Sequence, residues 1–416
     1  MMGFLQTTFG QLAQGREASV DLHPESLGSE FVEDLQAFYR RLRPLGPVHQ
    51  VIVWGGVRAW LITGYEEAKA LLADHRLAKD HFKALKLFPP GLGGPHRSPL
   101  SANMLHADPP DHTRLRKLVN KAFAARAVQH LRPRVEQITE ELIDDLDTRV
   151  GVDLIRSFAL PLPIRVISAL LGIPEADRAA FVSWIEPFIG STSAARQRSA
   201  EEALGGYLPR LLADKRVQPD DDLLSELVAV SEDDDRLSEA ELLSMTFLLI
   251  MAGYETTVNL IGNSVFALLR DRDKLARLRA DPTLLPAAVE EFLRLESPLN
   301  TATTRFTVEP VRVGDVEIPA NEFVLVALLA ANHDEARFDH PAELDFTRSA
   351  NQHLAFGHGI HYCVGAPLAR LEGEVALGRL VDSFPNMTLD TTKPAPQYRK
   401  STLMHGLRSL PVILNG

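Results

Sequence analysis

One cysteine, Cys363, serves a chain of 416 residues. A lone thiol can close no disulfide within the chain and can build no multi-cysteine metal site. It lies in Phe356-Gly-His-Gly-Ile-His-Tyr-Cys-Val-Gly-Ala, a glycine-studded turn directly ahead of an amphipathic helical pattern over residues 366–384. A helix N-terminus carries positive partial charge and unpaired N–H groups, so it favours a thiolate over a thiol. Gly357, Gly359 and Gly365 predict backbone dihedrals or close approaches that a Cβ would resist. Taken alone, a free cysteine is most often a small buried hydrophobe. The turn around it argues otherwise.

A thiolate fixed by its backbone and open to a flat ligand suits an axial ligand of haem iron. The pattern Phe-Gly-x-Gly-x-His-x-Cys-x-Gly-Ala resembles the haem-binding loop of the cytochrome P450 family. The resemblance implies haem b as cofactor and Cys363 as its axial iron ligand. It also places Phe356, Gly357, Gly365 and His361 against the cofactor. His361 stands two residues before the ligand and cannot reach the opposite axial face.

With 45% hydrophobic and 24% charged residues the composition is globular. The formal net charge of −11 argues against nucleic acid or an anionic membrane as main partner. No uninterrupted apolar run approaches the roughly 18 residues of a membrane span; residues 323–331 form one of the longest. The N-terminal residues lack a basic segment followed by an apolar one, so neither signal peptide nor anchor is expected and the cytoplasm is the expected location. No linker or internal repeat divides the chain, which reads as one domain over 1–416 and as a monomer.

Residues 48–63 read as a β-hairpin around Gly55-Gly56, followed by a short helix over 65–74. Residues 82–104, rich in Pro and Gly, read as a long loop. Helical periodicity marks 113–125, 131–146, 163–171, 175–188, 200–214, 222–230, 239–269 and 284–295, the last stopped by Pro298. Residues 304–329 turn β-rich, with a turn at Gly314-Asp315 and a break at Pro319-Ala320-Asn321; the tail from 388 to 414 holds short strands. The acidic run Glu232-Asp-Asp-Asp235 reads as a solvated loop capping the helix at Glu239. The chain is mainly α with a small β-rich part. The resemblance covers essentially all of it and implies the P450 fold, a triangular helical prism enclosing haem.

Three further constellations carry chemistry. Glu291-Phe-Leu-Arg294 puts opposite charges at i and i+3, which on spacing alone is an ordinary surface pair. Its place upstream of the cysteine loop resembles the family's Glu-x-x-Arg, which makes the two residues structural. Ala252-Gly-Tyr-Glu-Thr256-Thr breaks helix propensity in mid-helix. Thr256 is placed to bond back to the carbonyl of Ala252, and small residues leave room beside it; close helix packing would explain the same residues. The motif resembles the family's oxygen-activation site, with Ala252 beside the haem and Glu255 and Thr256 as catalytic proton-relay residues. On a helical wheel His112, Arg116, Val119 and Phe123 share one stripe, while Arg114, Lys117 and Lys121 fall opposite. Two basic residues in an apolar stripe need an anionic partner; a solvated helix end is the other reading. By resemblance His112, Arg116, Arg305 and His361 bind haem propionates.

The expected activity is insertion of one oxygen atom of dioxygen into a C–H bond of a bulky hydrophobic small molecule: a macrolide or other polyketide, a terpenoid, or a steroid-like compound. Electrons would come from a ferredoxin and its NAD(P)H-dependent reductase, as in the actinobacterial secondary-metabolism members the chain resembles. Thr301, Ala302, Thr303, Thr402 and Leu403 are the expected substrate pocket, under a roof near 181–189. Haem-thiolate isomerases or peroxygenases, and non-catalytic haem sensors or lipophilic-ligand carriers, are the alternative classes. Intact Glu255-Thr256 speaks against the first.

Overall fold

Alternation of apolar side chains builds the sheet that frames the molecule. β2 (Val48–Val53) and β3 (Val57–Ile62) pair antiparallel from Val48 opposite Ile62 to Val53 opposite Val57. The turn takes Gly56 to φ +120°, a conformation that favours glycine. The period of two sends Val57, Ala59 and Leu61 into one apolar cluster and Trp60 and Ile62 into another, on the opposite face. The computed structural model describes residues 25–28, 31, 34–53, 56–88, 102–123, 128, 130–185, 187, 194–231, 237–349 and 351–415.

The hairpin belongs to a six-stranded sheet in the order β1-β2-β3-β9-β6-β4. β1 is Glu25–Ser26, β4 Leu77–Ala78, β6 Arg305–Thr307 and β9 Phe323–Val326. β9 runs parallel to β3 although some 260 residues separate them, so the sheet ties the start of the chain to its last third. β7 (Val311–Val313) and β8 (Val316–Ile318) pair across the Gly314 turn, and Asn321 takes φ +65° at the break before β9. β11 (Pro411–Ile413) pairs with both β10 (Thr388–Leu389) and β5 (Val152–Asp153).

Helices make up the rest. The longest, Glu239–Arg270, spans about 48 Å at the usual rise. It starts at a capping box: the Ser238 hydroxyl accepts from the Glu241 N–H, and the Glu241 carboxylate accepts from the Ser238 N–H at 2.8 Å. Ser238 is therefore the cap expected of the acidic run 232–235, which lies outside the described residues. By length and composition this helix could cross a membrane, but 67% of its most apolar stretch is buried inside the protein, where it is the core helix. Ala366–Ser383 packs against it, against Leu285–Leu295 and against Arg132–Asp144.

Boundaries moved in several places. The expected helix over 200–214 runs Ala194–Val217 and carries Pro209 inside it; the one over 175–188 is a 3-10 turn, Glu175–Asp177, followed by Arg178–Ile185. Leu35–Leu42 and Arg272–Ala280 are helices without an expectation. Both are short and charged, and aspartate caps start them: Asp34 accepts from the Ala37 N–H and Asp271 from the Lys274 N–H. The described ends of the 82–104 loop hold short turns, Leu85–Leu87 and Met104–His106. Its middle, 89–101, lies outside the described residues, as do Gly55, Glu186, Phe188 and Ile189.

Candidate active site

The cysteine loop is shaped by its backbone. The Gly357 N–H donates to Leu354 O at 2.8 Å and the Cys363 N–H to Phe356 O at 2.9 Å. Gly357 and Gly359 sit at φ +74° and +75°. At Gly359 a Cβ would also lie 2.7 Å from Leu72 O and 2.8 Å from Ala73 Cα, so only glycine lets the loop close on the helix Tyr65–Ala73. Gly365 has an ordinary φ of −82° and needs no such latitude; the nearest atom to a Cβ there is the Cys363 sulfur, at 3.9 Å.

Cys363 is exposed. Desolvation by the protein around it raises its pKa, against the Gly365 N–H, Arg116, Arg370 and the Ala366 N–H, which all favour the thiolate. The helix end is thus present as expected, but it does not ionise the bare thiol. A bound metal cation would, because a coordinating thiol is deprotonated outright.

Beside the loop stands a cluster of cations. The His361 ring lies 4.2 Å from that of His112, and Lys79, His112, Arg305 and Arg116 all act on His361 to hold its pKa far down, after burial. Burial and then Arg116 and Lys79 lower His112, whose two ring nitrogens are buried without a partner. Burial brings Arg305 down to about 10 and Lys79 well below its usual range. Arg116 donates to Asn120 at 2.9 Å, Arg305 to the Thr303 carbonyl at 3.0 Å, and Lys79 to the Thr303 hydroxyl at 2.5 Å. Of the three cationic side chains Lys79, Arg116 and Arg305, Lys79 and Arg305 are acted on by one carboxylate, Asp108, which already accepts the N–H groups of Lys79 and Asp80, while Arg116 is acted on by Cys363. Such a surplus calls for an anion of charge near −2. The two propionates of haem b have that charge, and the accessible Cys363 stands beside the cluster, so these residues fit the group. Lys79 was not read from the sequence. It follows the two-residue strand β4 and gives no periodic signal.

The wheel stripe holds. His112, Val119 and Phe123 are buried, Arg116 is half-buried and Lys117 is exposed. Arg114 differs from expectation: it pairs with Glu241 of the capping box instead of facing outward. The side chain of Lys121 lies outside the described residues.

On the long helix the Thr256 hydroxyl donates to Ala252 O at 2.9 Å and the Thr257 hydroxyl to Gly253 O at 3.2 Å. Ala252 is exposed although its helix is largely buried. A Cβ on Gly253 would reach Ile167 at 3.4 Å, so this glycine also serves helix packing. Glu255 is mostly buried and pairs with Arg399 at 2.9 Å. Burial raises its pKa more than the charge and hydrogen bond of Arg399 lower it. Arg399, from the C-terminal segment, was not legible as its partner.

Of the five expected pocket residues, Thr303, Thr402 and Leu403 keep accessible surface. Thr301 and Ala302 are buried: the Thr301 hydroxyl is committed to Thr402 O at 3.1 Å, and Ala302 packs in the cluster of Trp60 and Val326.

Glu291 and Arg294 are fully buried and joined twice at 2.8 Å. Arg294 also donates to the carbonyls of Asn332, Pro341 and Glu343, while Glu291 accepts from Arg348, Asn351 and the Asp345 N–H. This is a fully bonded interior pair, not the surface pair that spacing alone suggests. One residue earlier, Glu290 binds Arg370, whose guanidinium lies 4.6 Å over the ring of Phe356.

A family model described as "Cytochrome P450" matches residues 179–414. Cytochrome P450 107B1 of Saccharopolyspora erythraea is 50% identical over 92% of this chain and 95% of its own length. The 6-deoxyerythronolide B hydroxylase of the same organism is 45% identical over 94% of this chain and 99% of its own. The solved structure of the P450 monooxygenase TamI bound to tirandamycin C superposes with a TM-score of 0.87 at 49% identity, covering 94% of this chain and all of that one (100%). The fold, the cysteine loop and these matches agree: the chain belongs to the cytochrome P450 family.

Proposed function

We propose that this monooxygenase hydroxylates a bulky, largely apolar secondary metabolite of macrolide or other polyketide type, with terpenoid and steroid-like compounds as further candidates. Haem b, when bound, supplies the activation of dioxygen and the transfer of one oxygen atom. The chain's own residues bind, orient and move protons around it. Cys363 would hold its iron, Lys79, His112, Arg116, Arg305 and His361 would hold its propionates, and Phe356, Gly357, Gly365 and Ala252 would line its site. Glu291 and Arg294 brace the core behind it.

Thr256 has its hydroxyl proton committed to Ala252 O, which leaves its oxygen lone pairs free to accept from a water. Glu255 can pass a proton to that water, a general-acid relay. Electrons are proposed to come from an acidic ferredoxin, reduced by an NAD(P)H-dependent reductase and docking where Lys117 is exposed. The reading is of a cytoplasmic monomer in one domain.

The observation that carries the substrate class is the pocket edge: Thr303, Thr402 and Leu403 are uncharged, and two of the three bear hydroxyls. That suits a large apolar ligand oriented by a few hydrogen bonds. The relative named for 6-deoxyerythronolide B and the structure holding tirandamycin C support the same class. Titrating the holoenzyme with macrolactones, tirandamycin C, steroids, fatty acids and small aromatics tests it through the Soret shift. If fatty acids or small aromatics bind far more tightly than every macrocycle or polycycle, the proposal fails.

A further inference from the structure

One hairpin joins the acid of the long helix to the edge of the substrate pocket. Tyr398 pairs with Leu407, and the Arg399 N–H donates to Gly406 O at 2.8 Å. Beyond this stem the chain turns through Thr402 and Leu403. Their carbonyls are held by Asn300 and Thr301: the Asn300 N–H donates to Leu403 O at 2.8 Å and its side chain to Thr402 O at 3.0 Å. The base is anchored separately. Tyr398 stacks on His405, with ring centroids 4.2 Å apart, and both bond to Glu296. Asn263 of the long helix donates to His405 O at 2.9 Å.

Arg399 lies between that anchor and the pocket edge, and its guanidinium donates to Glu255. Among the described residues Arg399 is the charged group acting on Glu255; Tyr254, next to it on the same helix, is the other titratable group coupled to it.

We propose that Arg399 is a positioning residue that ties the protonation of Glu255 to occupancy of the pocket. The charge and hydrogen bond of Arg399 favour the carboxylate form of Glu255, a proton acceptor, against burial, which favours the protonated form. A bulky ligand pressing on Thr402 and Leu403 displaces the hairpin and lengthens the pair. The stranded carboxylate then takes a proton from solvent, because an unpaired charge in this enclosed place is costly. It becomes the acid that can serve Thr256. Proton supply is thereby withheld until a ligand fills the pocket. The inference rests on the reading of Thr402 and Leu403 as pocket residues.

The test uses the holoenzyme and ketoconazole, a bulky azole that enters by ligating haem iron and reports its entry as a Soret shift. Infrared difference spectra at neutral pH read the carbonyl stretch of a protonated carboxyl group, assigned to Glu255 by its loss in Glu255→Gln. The expected result is a band that appears on azole binding in the wild type. In Arg399→Gln it should be present without azole, and Arg399→Lys should restore azole dependence. A Soret shift with no new band, or an Arg399→Gln spectrum that still needs the azole, overturns the link while leaving the haem-thiolate reading intact. A missing Soret shift removes the pocket reading, and the link with it.

Discussion

Glu290 grips Arg370 through two hydrogen bonds, at 2.6 and 2.9 Å, and so fastens the helix that follows the cysteine to the helix that carries Glu291 and Arg294. Because Arg370 also covers the Phe356 ring, one ion pair braces the loop that presents Cys363.

That brace has a pH signature. Burial pushes the Glu290 carboxyl up, but Arg370 and His353 outweigh it and hold its pKa at about 2. A carboxyl depressed by folding contributes stability that is complete above its unfolded pKa and is lost as pH falls through the folded value. The contribution should therefore fade between roughly pH 4.5 and pH 2. Denaturant melts should show Arg370→Ala costing about 1.5–3 kcal/mol at neutral pH, the usual range for hydrogen bonds to charged groups. The gap to wild type should shrink across that acid window. A gap independent of pH would show that stacking on Phe356, not the ion pair, is the brace.

The interior pair Glu291–Arg294 should behave more severely. Each partner is fully buried and makes further bonds, so removing one strands the other. Glu291→Gln keeps the volume and loses the charge, and should cost about 3–5 kcal/mol, the range for breaking a buried ion pair. Thermal melts of haem-free protein check it without relying on the cofactor. A loss below about 1 kcal/mol would match a surface pair instead.

How far these features could be read in advance depended on their reach along the chain. The Thr256 bond to Ala252 closes over four residues, and the His112–Arg116–Val119 stripe repeats at helical spacing, so both were legible. Arg399 lies 144 residues from Glu255, and Arg370 lies 80 from Glu290. No local period marks such pairs. Lys79 directly follows a two-residue strand at the sheet edge, where only the fold brings it to Arg305 and His361. Burial of Thr301 and Ala302 has the same origin: Thr301 bonds to the carbonyl of Thr402 and Ala302 packs with Trp60 and Val326, partners far along the chain that only the fold brings near. Conversely, Glu-x-x-Arg was weak on spacing, and its weight came from the family resemblance.

Lys79 offers a test of the cation cluster. With Arg116 and Arg305 it leaves a surplus of positive charge that a dianion would neutralise. Lys79→Met keeps much of the stem and removes the charge. It should speed haem transfer to apomyoglobin by about tenfold, as expected for loss of one charged hydrogen bond. The Soret position of the reduced carbon monoxide complex should stay red-shifted, since Cys363 is untouched. Cys363→Ala should show the opposite pattern, losing that band and most of its haem. If Lys79→Met retains haem as wild type does, the ammonium serves only Thr303, and Arg116 and Arg305 carry the propionates.

Thr256 separates helix packing from proton delivery. Its hydroxyl bonds to the carbonyl of the exposed Ala252, and Thr257 makes the equivalent bond one residue on while buried. A hydroxyl that only trims the helix should be equally dispensable at either place. A hydroxyl that holds a water for proton transfer should matter at 256 alone. Thr256→Ala should bind ligand and accept electrons at wild-type rates, yet divert most of them to hydrogen peroxide, with product per NAD(P)H falling about a hundredfold, the low end for loss of a general-acid contribution. Thr256→Ser, which keeps the hydroxyl, should recover much of the coupling. Thr257→Ala should lose stability and keep coupling. Equal uncoupling in the two alanine variants, or none in Thr256→Ala, would assign the motif to helix packing and take Thr256 out of the relay.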